Sequence, residues 1–162
     1  MVSTSAASRC PIERLSMSGE RVFVDTNVLV YSYDVDAGVK HHLARTVLRE
    51  LWESRLGVLS TQVLQEFYVT VTRKLDKPLA KTRAREIVGT YRAWPVHQPH
   101  VDDVIAASEL EERHRLSFWD ALVIISAQRS NAQTLVSEDL QSGQRFGGLV
   151  IVNPFLGPSV TD

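Results

Sequence analysis

The chain has a single cysteine among its 162 residues, Cys10. One thiol excludes an internal disulfide framework and any cysteine-based zinc site; it fits a reducing compartment, and a cytoplasmic location is expected. Long hydrophobic runs are missing too. The longest, such as Ala121 to Ile125, fall far short of the roughly 20 apolar residues that span a bilayer, and no apolar core follows the first basic residues, so neither a membrane span nor a secretory signal is expected. Charge of one sign is also scarce. A net charge of −1 gives no global basic field, so any polyanion must be held by a local patch. GxGxxG, Walker and GxSxG elements are absent, which removes the defining feature of dinucleotide, nucleotide triphosphate and serine-hydrolase sites. The histidines lack zinc spacing: His41 and His42 are adjacent and cannot share a helix face, while His97 and His100 flank Pro99 in a predicted loop.

What is present reads as one domain with enough apolar sequence for a real core. Residues 1–20 are Ser-rich and without periodicity, so a flexible N-terminal tail is expected, with Met17 as a second candidate start. The folded domain is expected over 21–156, and a short tail over 157–162. Five short apolar runs, RVFV, GVLS, the weaker PVHQP, TLVS and LVIVNPF, alternate with helical patterns across about 40–56, 61–75, 79–94, 101–114 and 117–129. Parallel strands need crossover helices, so this alternation predicts an α/β three-layer sandwich around a five-stranded, largely parallel sheet.

Four acids stand where such elements meet: Asp25 in VFVDTN, Glu66 in VLQEF, Asp120 in SFWDAL and Asp139 in SEDL. Each has an ordinary reading. Asp25 suits a helix N-cap, Asp120 completes an S-x-x-D capping box with Ser117, Glu66 suits a surface helix, and Asp139 suits a turn. Yet Asp25 ends an apolar run, at the strand edge where open α/β sheets bind ligands. Asp120 opens a helix that is apolar on nearly every side. Glu66 lies about 60° from Val63 on the helical wheel, at the margin of the arc of Val63, Leu64, Phe67, Val71 and Leu75. If the fold gathers them, each pair at ~4 Å repels by roughly 4 kcal/mol at an effective dielectric of ~20, so such a cluster calls for a cation. Glu138 is the weaker neighbour of Asp139, because adjacent side chains diverge.

VFVDTN, QVLQEF, SFWDAL, SEDL and VIVNPF, in this order and spacing, resemble a PIN domain of the toxin type, the VapC component of VapBC toxin–antitoxin pairs, over about residues 21–156. The resemblance implies a metal-dependent endoribonuclease. Position by position, the family's acidic cluster falls on Asp25, Glu66, Asp120 and Asp139, as catalytic and metal-binding residues. Its supporting polar residues fall on Thr26 or Asn27, and on Ser137. Hard carboxylate ligands suit Mg²⁺ or Mn²⁺, and metal-activated water would leave a 5′-phosphate and a 3′-hydroxyl. The resemblance also implies a homodimer and a small VapB-like antitoxin.

Arg73, Lys74, Lys77 and Lys81, followed by Arg83 and Arg85 and opposed by Asp76 alone, are candidate RNA phosphate contacts or a solvated helix face. Trp52, Trp94 and Trp119 read as core or interface residues rather than base-stacking platforms. Three rival readings stand: a PIN nuclease of RNA maturation outside any toxin pair, a non-catalytic RNA- or protein-binding PIN module, and a phosphoaspartyl or receiver-like domain. Against the last, no lysine follows Lys81 and Asn27 stands where a second Asp is needed. Against the binding module, all four acids are kept.

Overall fold

A computed structural model describes residues 19–157; the expected tails lie almost wholly outside them. The described chain runs β1 (Val22–Val24), α1 (Thr26–Tyr31), α2 (Val39–Ser54), β2 (Gly57–Ser60), α3 (Thr61–Arg73), α4 (Lys81–Thr90), β3 (Val96–His97), α5 (Val101–His114), α6 (Phe118–Arg129), β4 (Thr134–Val136), β5 (Arg145–Phe146) and β6 (Leu149–Val152). Short 3₁₀ turns precede α2 and follow α4. The strands form one sheet in the order β3-β2-β1-β4-β6-β5, parallel except for the β5–β6 pair.

The sheet therefore has six strands, one more than the sequence pattern predicts. The additional strand, β5, is two residues long and carries one buried apolar side chain, Phe146, so no period-2 signal could announce it. It returns onto β6 through Gly147, whose φ of 61° is cheap only for glycine.

Connection order fixes the layers. From β1 the chain steps outward to β2 and β3, then crosses back to place β4 on the other side of β1. Crossovers between parallel strands are right-handed, so α1–α4 cover one face and α5–α6 the other. The helix contacts agree: α1 packs on α2 and α3, α3 on α4, and α5 on α6. The reversal between β1 and β4 is a topological switch point, where open α/β sheets leave a crevice.

Burial follows from this arrangement. All of β1 and β4 are buried, as are seven consecutive residues of α6, Ala121 to Ala127. This confirms α6 as a helix enclosed on nearly every side. No described helix is long and apolar enough to cross a membrane.

Candidate active site at the β1–β4 switch point

Register brings the first acid to its partners. Val24 pairs with Val136, so Asp25 and Ser137 leave the sheet side by side, and the Asp25 N–H donates to the Val136 carbonyl at 3.0 Å. α3 leaves the carboxyl end of β2 directly, and α6, which delivers the chain to the amino end of β4, begins at this same carboxyl edge, where Gln62 reaches the Trp119 carbonyl. Glu66 thus lies in the second turn of α3 and Asp120 in the first turn of α6. Their positive helix ends favour anions there.

Asp25 is 5% exposed. Its Oδ1 accepts from the Thr26 N–H at 2.7 Å, and its Oδ2 accepts from the Ser137 hydroxyl at 2.7 Å and from Asn27 Nδ2 at 3.3 Å. Burial pushes its pKa up from 3.8 to about 6; the Ser137 and Thr26 hydrogen bonds oppose the rise, and the charges of Asp139 and Asp120 add to it. The N-cap reading is therefore true of Asp25, but it is incomplete, because a cap alone has no need of two further donors and two acidic neighbours.

Asn27 is the hub. Its Nδ2 also donates to Asp139 Oδ2 at 3.0 Å, and its Oδ1 accepts from the Glu138 N–H at 3.2 Å. One amide thereby ties the end of β1 to the loop after β4. Ser137 reinforces the tie, since its Oγ also accepts from the Asp139 N–H at 3.2 Å.

Glu66 is joined from the other side. Thr26 Oγ1 donates to Glu66 Oε2 at 2.9 Å, and Gln62 Nε2 donates to Glu66 Oε1 at 2.8 Å. Asp120 is half-buried and its pKa is raised, first by burial and then by Asp139 and Glu66, against a lowering hydrogen bond from Ser117. The capping box is half realised, with Ser117 Oγ accepting from the Asp120 N–H at 3.1 Å. Electrostatically the four acids form one group. Sterically they are spread by the neutral donors between them: among the described residues, no three His, Cys, Asp or Glu side chains are drawn together tightly enough to grip one ion as they stand.

The donor set nonetheless fits a hard divalent cation. All four side chains offer carboxylate oxygens, and the pKa values of Asp25 and Asp120 are raised by burial and by the neighbouring acids. A divalent charge among them reverses both penalties.

Sequence reasoning missed two participants. Gln62, 6% exposed, bonds Glu66 and reaches the Trp119 carbonyl at 3.4 Å, while its Oε1 is buried without a partner among the described residues. Its place four residues before Glu66 on a helix was the available signal. The second is a clamp on Glu138, whose carboxylate accepts from the Tyr31 hydroxyl at 2.6 Å and from Lys40. Burial alone would raise the Glu138 pKa; these bonds outweigh it and hold the group below its ordinary value. Glu138 thus turns away from the acidic group, as adjacent side chains must.

The basic patch divides. Lys77 is paired with Asp36 at 2.9 Å and Arg83 with Glu86 at 3.3 Å. Arg73, Lys74 and Lys81 are exposed and in no ion pair among the described residues. Arg73 lies about 10 Å along the α3 axis from Glu66, at 1.5 Å per residue. His97 is corrected from loop to strand: it closes β3, with Nε2 3.0 Å from Asp103 Oδ2, and His100 is the N-cap of α5. Trp94 is buried at 7% exposure and Trp52 packs on it, whereas Trp119 stands 61% exposed at the rim of the site.

Sheet order and site together define a class: an open, mostly parallel α/β domain with a group of acids at its switch point. The PIN domain family profile matches residues 22–143, and the chain belongs to that family. It is 26% identical over 123 residues to Ribonuclease VapC1 of Aquifex aeolicus (strain VF5), covering 76% of this chain and 84% of the relative. Among solved structures it is similar to Mycobacterium tuberculosis VapC20, described as a sarcin-ricin loop cleaving toxin, with a TM-score of 0.54, 22% identity, and 70% of this chain and 86% of that one covered. It is also similar to a chain of a toxin–antitoxin complex from Klebsiella pneumoniae, with a TM-score of 0.59, 18% identity and coverage of 83% and 98%. A third likeness is to VapBC2 of Rickettsia felis bound to a promoter DNA fragment, with a TM-score of 0.56, 18% identity and coverage of 80% and 96%. At these identities the three structures bear on the fold.

Proposed function

We propose that this chain is a divalent-metal-dependent endoribonuclease, the toxin of a toxin–antitoxin pair, with Asp25, Glu66, Asp120 and Asp139 holding Mg²⁺ or Mn²⁺. The observation that carries the reading is the joining of Asp25 to Asp139 through Asn27 and Ser137, with Asp120 and Glu66 within electrostatic reach of the same crevice. The ribonuclease relative and the toxin–antitoxin likenesses support it.

When bound, the metal supplies Lewis-acid polarisation of the phosphate and activation of water. The chain's own residues set the geometry. Asn27 and Ser137 fix Asp25 and the Asp139 backbone relative to each other, while Thr26 and Gln62 hold the two oxygens of Glu66. No side-chain nucleophile is required. A homodimer and a VapB-like antitoxin complete the proposal, with Arg73, Lys74 and Lys81 as phosphate contacts and Lys77 a weaker one because Asp36 already neutralises it.

The test is cleavage of a structured RNA pool in Mg²⁺ or Mn²⁺, in EDTA, and with Asp25→Asn, followed by analysis of the ends. Cutting that needs both the metal and Asp25, and that leaves 5′-phosphates, is the expected result. Cyclic phosphate ends, or undiminished cutting in EDTA, would refute it.

A further inference from the structure

The three tryptophans are treated differently by the fold. Trp52 and Trp94 lie against each other and against Tyr91, with ring centroids 5.1–5.4 Å apart; Trp94 is buried at 7% exposure, and Trp52, 37% exposed, spends one face on these rings. Trp119 is 61% exposed in the first turn of α6, immediately before Asp120. A large indole left in water at the rim of an acidic crevice calls for an explanation that scattered aliphatic exposure does not.

This indole is nonetheless held in place. Phe118 meets it edge-on at 5.3 Å and 76°, and Phe118 itself packs onto the small cluster of Ala107, Ala121, Leu122 and Ile125. The Trp119 carbonyl is reached by Gln62, the residue that also holds Glu66, and Ser117 caps the turn that carries it. The platform and the acids therefore share one rigid support. Successive side chains on a helix are ~100° apart, so the indole flanks the Asp120 carboxylate rather than covering it.

Charge makes such a surface useful. The crevice is acidic and repels phosphates, and the unpaired cations Arg73, Lys74 and Lys81 begin about 10 Å away along α3. A bound metal serves the scissile phosphate itself, so the nucleotides beside it need a contact of another kind, and a base face on an indole is one. We propose that Trp119, supported by Phe118, is a stacking platform for an unpaired nucleobase beside the scissile phosphate. This rests on the ribonuclease reading above and adds a substrate-positioning residue to it.

The test uses protein labelled with 5-fluorotryptophan, whose signals are assigned through Trp119→Phe. It is titrated in Ca²⁺ with unpaired RNA of about eight nucleotides, a length within the usual single-strand site size, with the same strand made abasic, and with a duplex of equal length. The expected result is a shift of the Trp119 resonance by the unpaired strand alone. Trp119→Ala should lower affinity for that strand roughly five- to hundredfold, Trp119→Phe should retain part of it, and neither should change Ca²⁺ affinity or melting temperature. Equal losses for abasic and intact strands overturn the stacking role. So does a Trp119→Ala variant that binds RNA normally, or one whose only defect is in dimerisation or antitoxin binding. If that variant cuts RNA as well as the wild type does, the platform fails and the nuclease stands; a wild type that neither binds nor cuts RNA removes both.

Discussion

At the scale of the residue, Asp25 carries the clearest energetic signature. Its pKa is raised in the folded chain, to about 6 from 3.8, so between those values the folded state keeps a proton that the unfolded state has lost. Stability contributed by this group is therefore greatest below pH ~4 and falls as pH rises to ~6, with a total cost of about 3 kcal/mol at neutral pH. Without metal, the melting temperature should decline across that window, and Asp25→Asn should flatten the decline and raise the neutral-pH melting temperature by up to roughly 6–12 °C. Thermal unfolding in EDTA across pH measures this; a variant melting below wild type at pH 7 would contradict it. Asp25, Asp120 and Asp139 stood out as candidates in the sequence because each sits where an apolar run meets a turn or helix start, and Glu66 because it lies at the margin of an apolar helical arc. Gln62 showed only its spacing of four from Glu66, because its second contact, to the α6 main chain, spans 57 residues.

At the scale of the element, the strongest constraint sits where β2 begins. A Cβ built on Gly57 would lie 2.3 Å from the Trp94 ring, so Trp94 would have to give up its packing on Trp52 and Tyr91 to make room. Gly57→Ala should destabilise by about 1–3 kcal/mol, a lower melting temperature of some 2–4 °C per kcal/mol, without altering metal affinity. Chemical denaturation with an unchanged slope would check it. Elements with a strong local pattern were legible: the helices α2, α3, α5 and α6 fall close to their expected bounds, and β1, β2 and β4 end where their apolar runs end. β5 was hidden because its pairing with β6 is set by a Gly-Gly turn and one phenylalanine rather than by any run of its own.

At the scale of the whole molecule, a chain of net charge −1 must bind a polyanion through a few placed cations. Replacing Arg73, Lys74 and Lys81 together by Gln should weaken RNA binding evenly across sequences and make the salt dependence shallower by about 2 in the log–log slope, at ~0.7 per neutralised phosphate on a single strand. Fluorescence anisotropy over a salt series reads that slope, and an unchanged value would move the phosphate contacts elsewhere. The global layout was legible from the alternation of strands and helices, whereas the division of the basic patch into paired and unpaired cations was not, since Lys77 meets Asp36 only after the fold closes 41 residues of chain. Finally, both borders of the sheet are strands of two residues. β3 is bracketed by Pro95 and Pro99, and β5 is half of a glycine-turned hairpin. Neither border presents a long run of free amides and carbonyls on which a neighbouring copy could extend the sheet, so crowded chains are guarded against strand-by-strand polymerisation, and self-association is left to their helical faces.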